Sequence, residues 1–157
     1  MLDGGKEFLD KIKTSVSGDR LLIAMPDSKN QNWKGAVTIT INLPLLKEFQ
    51  SEGVGSTTLS HLAGESFTLN YQGVGSVTAT GSVNRFVLHA QGVGTLDAKG
   101  LTARDVQATL EGVGLVDVRA TESLDANVQG VGSLTYYGRP KKINKSVEGL
   151  GRLHAGD

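Results

Sequence analysis

At 157 residues the chain has the length of one domain, and 16 Lys and Arg against 16 Asp and Glu leave no net field to draw in nucleic acid or an anionic membrane. It contains no cysteine, which excludes disulfides, thiolate metal sites and thiol nucleophiles. Twenty-one Gly, three Pro and 5% aromatic residues point to many tight bends joined by short regular segments.

No apolar run approaches the ~18 residues that cross a bilayer. "MLDGGKEFLD" lacks the basic and apolar regions of a secretion signal, so either a cytoplasmic location or a removed leader is expected. Residues 1–50 are expected to form an N-terminal cap within the same domain. "GKEFLDKIK" reads as a short helix or irregular strand, "DRLLIAM" as a strand and "PDSKNQNWKG" as a polar loop. "AVTITINLP" reads as a strand with Val37, Ile39, Ile41 and Leu43 on one face. The loop would join the last two strands into a hairpin covering the open edge of the segment that begins at residue 51.

From residue 51 the chain repeats. Gly-Val-Gly stands at Gly53-Val54-Gly55, Gly73-Val74-Gly75, Gly92-Val93-Gly94, Gly112-Val113-Gly114 and Gly130-Val131-Gly132, and Gly149-Leu150-Gly151 closes the series. The copies are 18 to 20 residues apart. Before each glycine pair, apolar residues fall at every second position, as in Phe86, Leu88 and Ala90, and they do so again after it, as in Leu96 and Ala98. Period two means strands with one buried face.

The two stretches read as out of phase, so the chain would turn at each glycine, with the valine pointing into the core and its glycines permitting the bend. A coil of ~19 residues at ~3.3 Å each closes a perimeter of ~60 Å, and stacked coils pair in parallel ~4.8 Å apart. The expected fold is all-β: a single-stranded right-handed β-helix, or β-solenoid, of about six coils over 51–157, with an N-terminal β-hairpin cap. Leucine-rich, hexapeptide and propeller repeats do not fit the period or the pattern. "GLGRLHAGD" has no comparable lid, so that end is free to stack on another subunit.

The order of parts carries a resemblance. "EFLDKIKTSVSGDRLLI", "VTITINLPLLKEFQSEGVGS", the Gly-x-Gly coils and "LTYYGRPKKINKSVEGLGRLH" together resemble the head GIN domain of putative bacterial autotransporter adhesins along nearly the whole chain. Gly-Val-Gly departs from the Gly-Ser-Gly or Gly-Ala-Gly more usual in the family, but it keeps both corner glycines. The resemblance implies a β-helix and an extracytoplasmic location in the periplasm, outer membrane or cell surface. It supplies no catalytic or binding residues to carry over.

Candidate sites are few. Glu52, Gln72, Gln91, Glu111, Gln129 and Glu148 form one outward column in which no two carboxylates fall on adjacent coils. Asp97 and Asp117 should be neighbours on an outer face with Lys99 and Arg119 beside them, as a weak calcium or β-elimination site or as a surface ion-pair ladder. Thr78 and Thr135 hold the same position in other coils. His61, His89 and His154 occupy different coil positions, so they predict neither a zinc triad nor a nucleophile and base. Arg139, Lys141, Lys142 and Lys145 share one basic loop, and Trp33 could stack on a sugar ring.

No cofactor and no catalytic residue is expected. The reading is a non-enzymatic envelope or extracellular module binding a surface polysaccharide or other polymer, with no nucleic acid and no transmembrane segment. It could also form homo-oligomers through its ends or flat faces. The alternatives are a carbohydrate-active enzyme using Asp97, Asp117 and Arg119, or a self-assembling structural β-helix.

Overall fold

A computed structural model describes residues 1–3, 10–24 and 37–156. The chain divides into two compact units, Met1–Leu43 and Pro44–Asp157. In the first, β1 (Leu2–Asp3) pairs antiparallel with β4 (Thr38–Ile39), and β2 (Lys13–Ser17) pairs antiparallel with β3 (Arg20–Ala24). The hairpin expected between "DRLLIAM" and "AVTITINLP" is therefore corrected. Arg20–Ala24 turns back at once on the strand before it, through Gly18 at φ 62, a left-handed turn position that suits glycine. Among the described residues of the "AVTITINLP" run only Thr38–Ile39 is strand, and Ile41 and Leu43 are exposed. The loop 26–35, with Trp33, lies outside the described residues, as does most of the stretch read as a helix or irregular strand.

The second unit is a β-solenoid. Its strands are β5 (Glu48–Ser51), β6 (Val54–Tyr71), β7 (Val74–Ala90), β8 (Val93–Leu110), β9 (Val113–Val128), β10 (Val131–Tyr137), β11 (Lys142–Val147) and β12 (Arg152–Ala155). Each pairs in parallel with the strand one coil away, in the order β5-β6-β7-β8-β9-β10-β12, and β11 also pairs with β9. The described residues contain no helix. One inward step of two repeats along each coil, broken by steps of three such as Ala98 to Leu101 and Ala103 to Val106. Those breaks mark two corners, and the glycine pair marks the third.

The core is a set of columns, each one residue per coil. Phe67 and Phe86 stack with ring centroids 6.0 Å apart, followed by Val106 and Leu124. Val77, Leu96, Val116 and Leu134 form another column, all nearly inaccessible. No coil could bury these residues alone, so cohesion comes from neighbour on neighbour.

The glycine corner corrects the sequence reading. Val54, Val74, Val93, Val113, Val131 and Leu150 point outward, with Val54 87%, Val74 49% and Leu150 82% exposed. The inward parity runs unbroken through the glycines: Leu110, Gly112, Gly114, Val116. The two stretches are thus in phase, and the valine occupies the outer parity between them.

The glycines are needed for a different reason. Each valine N–H donates to the carbonyl of the first glycine one coil back: Val74 to Gly53 and Val93 to Gly73, both at 3.0 Å. A Cβ on Gly73 would overlap that same Gly53 oxygen, and a Cβ on Gly94 would overlap the oxygen of Gly75. Gly94 also lies at φ 149, where L side chains are strained.

At the C-terminal end, β11 puts Ile143, Lys145 and Val147 on the inward parity, opposite Leu124, Ala126 and Val128. Lys145 interrupts the apolar series of that parity and remains exposed at the end of the stack. Its ammonium donates to Tyr136 Oη at 2.8 Å and sits 4.4 Å from the centre of that ring. A further coil laid on β11 would bury this charge, so an inward-pointing lysine shields an edge strand that is otherwise ready to pair.

Three outcomes are expected. Gly94→Ala should lower unfolding free energy by about 3 kcal/mol or more, or prevent folding. Gly53→Ala has open space around the added methyl and should cost under about 0.5 kcal/mol, both by denaturant titration. Lys145→Val should convert the chain to open-ended, concentration-dependent assembly by light scattering, whereas Lys145→Arg should not.

Candidate functional site

Two outward faces flank the glycine corner. The face before it carries three columns next to the corner, and Ser66, Arg85, Asp105, Ser123 and Lys142 form a fourth beyond them. Glu48, Thr68, Val87, Gln107, Asp125 and Asn144 stand in one register, and Gln50, Asn70, His89, Thr109, Asn127 and Ser146 in the next. Against the corner stands the column from Glu52 to Glu148 that the sequence singled out. Period-two alternation sends these side chains outward while their neighbours fill the core, so the register of the core sets the spacing of the face.

The third column is hydrogen-bonded along the axis. Gln72 Nε2 donates to Gln91 Oε1 at 3.2 Å, and Gln91 Nε2 donates to Glu111 Oε2 at 2.7 Å. The ladder is directional, with amide donors running toward a terminal carboxylate. At the first coil, Gln50 Nε2 donates to Glu52 at 2.6 Å, and Asn70 Nδ2 donates to Glu48 at 3.1 Å. These three columns carry amides, hydroxyls, one histidine, one valine and five carboxylates, and Arg85 Nη2 reaches in from the fourth to donate to Gln107 Oε1 at 3.3 Å. Asn127 Oδ1 is buried within this face and has no hydrogen-bond partner.

The face after the corner is drier. It carries the valine column, then Ser56, Ser76, Thr95, Leu115, Ser133 and Arg152, then Thr58, Thr78, Asp97, Asp117, Thr135 and His154. Asp97 and Asp117 are paired neighbours, as the spacing implied. Both oxygens of Asp97 are engaged: Lys99 N donates to Oδ1 and Lys99 Nζ lies 3.2 Å from Oδ2. The hydrogen bond and charge of Asp97 hold the Lys99 ammonium above its ordinary pKa. Arg119 Nε donates to the Lys99 carbonyl at 2.8 Å, and its guanidinium lies 5.8 Å from the centre of the Tyr137 ring. This arrangement is a compensated surface ion cluster, and among the described residues no group of three metal-ligating side chains forms.

The basic loop is divided. Lys141 pairs with Glu122 at 2.8 Å, Lys142 begins β11 and Lys145 turns inward, leaving Arg139 in the loop. The three histidines are scattered, as expected. His61 lies at φ 59 on a bulge of β6, His89 on the amide face, and His154 lies 3.4 Å from Ser133 Oγ and 3.3 Å from Thr135 Oγ1. Inside the core, burial raises the Tyr71 hydroxyl pKa, and that hydroxyl has no partner.

The model of the putative auto-transporter adhesin, head GIN domain family matches residues 1–140. The chain belongs to the GIN domain family. A solved putative adhesin from Bacteroides fragilis is 29% identical, with a TM-score of 0.77 over 99% of this chain and 81% of that one. A putative lipid binding protein from Parabacteroides distasonis, 22% identical, shares the fold with a TM-score of 0.55 over 97% of this chain and 81% of that one. No curated protein matches the chain. Kinship with adhesins supports a non-enzymatic, adhesin-like module of the cell surface or exterior.

Gln91→Glu tests the ladder. It removes the amide donor to Glu111 and sets two carboxylates about 4.8 Å apart. Each raises the other's pKa in the folded chain, so the loss of stability, under about 1 kcal/mol, is present at neutral pH and disappears as pH falls through the carboxylate range. Melting curves at pH 7 and pH 4, at low and high salt, should show the difference.

Proposed function

We propose that this GIN domain holds a neutral, hydroxyl-rich surface polysaccharide along its amide face, without turning it over. The observation that carries this reading is the array of amides, hydroxyls and carboxylates repeated over six coils. Amide and carboxylate groups hydrogen-bond sugar hydroxyls. Each bond is worth only about 0.5–1.5 kcal/mol net, so useful affinity requires the repetition that a solenoid provides.

Charge selects the class of polymer. Six carboxylates against Arg85 and Lys142 leave that face net negative, which disfavours uronic or phosphorylated chains. Lys142 stands at the edge of the face, in register with Ser123, and the reading does not use Trp33, Arg139 or Lys141. A cell-surface or extracellular setting follows from the family relationship and suits a polymer partner.

Affinity electrophoresis in gels containing mannan, laminarin, dextran or alginate tests this. At least one neutral polymer should retard the protein and alginate should not. The triple variant Asn70→Ala, Thr109→Ala, Asn127→Ala should bind at least tenfold more weakly with unchanged melting temperature. Indifference to every neutral polymer, or retardation that survives the triple variant, would overturn the reading.

A further inference from the structure

The aliphatic column at the corner is unexplained by folding. The glycines are required because the preceding coil's carbonyl fills the space of a side chain, but the residue between them points out and is half exposed or more in every coil. Any residue that tolerates a strand would serve there, yet all six copies are Val or Leu. Together with Leu115, also exposed, they make an apolar strip running the length of the stack beside hydroxyl columns.

We propose that this valine face packs against the same face of a second copy, about a two-fold axis perpendicular to the solenoid and passing between the coils of Val93 and Val113. The columns decide the orientation. In that arrangement the third coil meets the fourth and the second meets the fifth. Val93 faces Val113 of the partner subunit, and Thr78 faces Thr135 of the partner subunit.

The central carboxylates, Asp97 and Asp117, bring their own cations. Lys99 is already bonded to Asp97, and Arg119 is anchored on the Lys99 carbonyl, so two copies assemble a charge cluster with equal numbers of each sign. At the ends, Arg152 meets Ser56 of the partner subunit and His154 meets Thr58 of the partner subunit, so neither faces a like charge. A two-fold axis along the solenoid would instead set Arg152 against Arg152 of the partner subunit and valines against aspartates. Face-to-face sheets of this kind pack ~10 Å apart. Six coils by three outward columns cover about 500 Å² on each copy, the low end of what supports a specific association.

Sedimentation equilibrium of the full chain across 1–300 µM is the test. The expected result is a reversible monomer–dimer equilibrium with no larger species. Val113→Glu, at an exposed position, should weaken it at least tenfold while leaving the melting temperature and amide-face polymer binding unchanged. Because the chain has no cysteine, single cysteines report the geometry. Ser76→Cys mixed with Ser133→Cys should cross-link through a short bismaleimide, and neither should cross-link alone. A monomer at every concentration, a dimer that Val113→Glu does not weaken, or cross-linking of Ser76→Cys with itself would overturn the proposal. Polymer retardation in the same Val113→Glu sample separates failure here from failure of the amide-face reading.

Discussion

Everything in the second unit depends on how closely one coil's backbone lies on the next at the glycine corner. There the carbonyl oxygens of Gly53, Gly73, Gly92 and Gly112 accept from the valines one coil on, and the same oxygens occupy the volume a β-carbon would need. With the bond from Gln72 N to Ser51 O just before it, the coils stay hydrogen-bonded on both sides of the bend. Those bonds give backbone groups partners at the point where a sheet most easily loses them. The side chains on both flanking faces are consequently held in a lattice with one coil as its unit. The amide ladder and the valine column are both products of that spacing.

The same parity that builds the faces determines how the stack ends. On β11 the inward series Ile143, Lys145, Val147 is interrupted by a charge that finds its partners in the Tyr136 hydroxyl and ring. An apolar residue there would offer the next chain a surface like the one each coil offers its neighbour. A lysine lets the strand close the core beneath it and discourages continuation above. Lateral contact through an outward face is unaffected by that device, so the ends and the sides of the solenoid follow different rules of association.

Much of this is legible in the residues. The regular glycine spacing and alternating apolar runs suffice for a stacked, parallel, all-β coil, because period and parity are local properties that one sequence displays directly. The pairing of Asp97 with Asp117 and the axial amide column come from the same count. The orientation of the valine is easily mistaken, because an apolar residue between glycines looks like a core residue. Counting Leu110, Gly112, Gly114, Val116 by twos assigns it correctly, with the glycines as inward positions too cramped for side chains. Lys145 is hidden inside what looks like one basic loop, although Ile143 and Val147 on either side carry the inward parity. In the first unit, β3 pairs with β2 across a short turn, and the apolar alternation in "AVTITINLP" gives no hint that only two of its described residues are strand. Partner choice there is set by chain closure and not by pattern.

The differences in coil length have a location. Register shifts fall between Leu59 and Leu62, Thr78 and Thr80, Ala98 and Thr102, and Ala103 and Asp105, while the residues on either side of the glycine corner keep the same partners from coil to coil. Additions and deletions are thus absorbed on the far side of the stack. That side is where the protein is free to diverge: a peptide tag, a reporter loop or an evolutionary insertion placed at the exposed bulge by Arg104 would leave the two patterned surfaces with their rows still aligned.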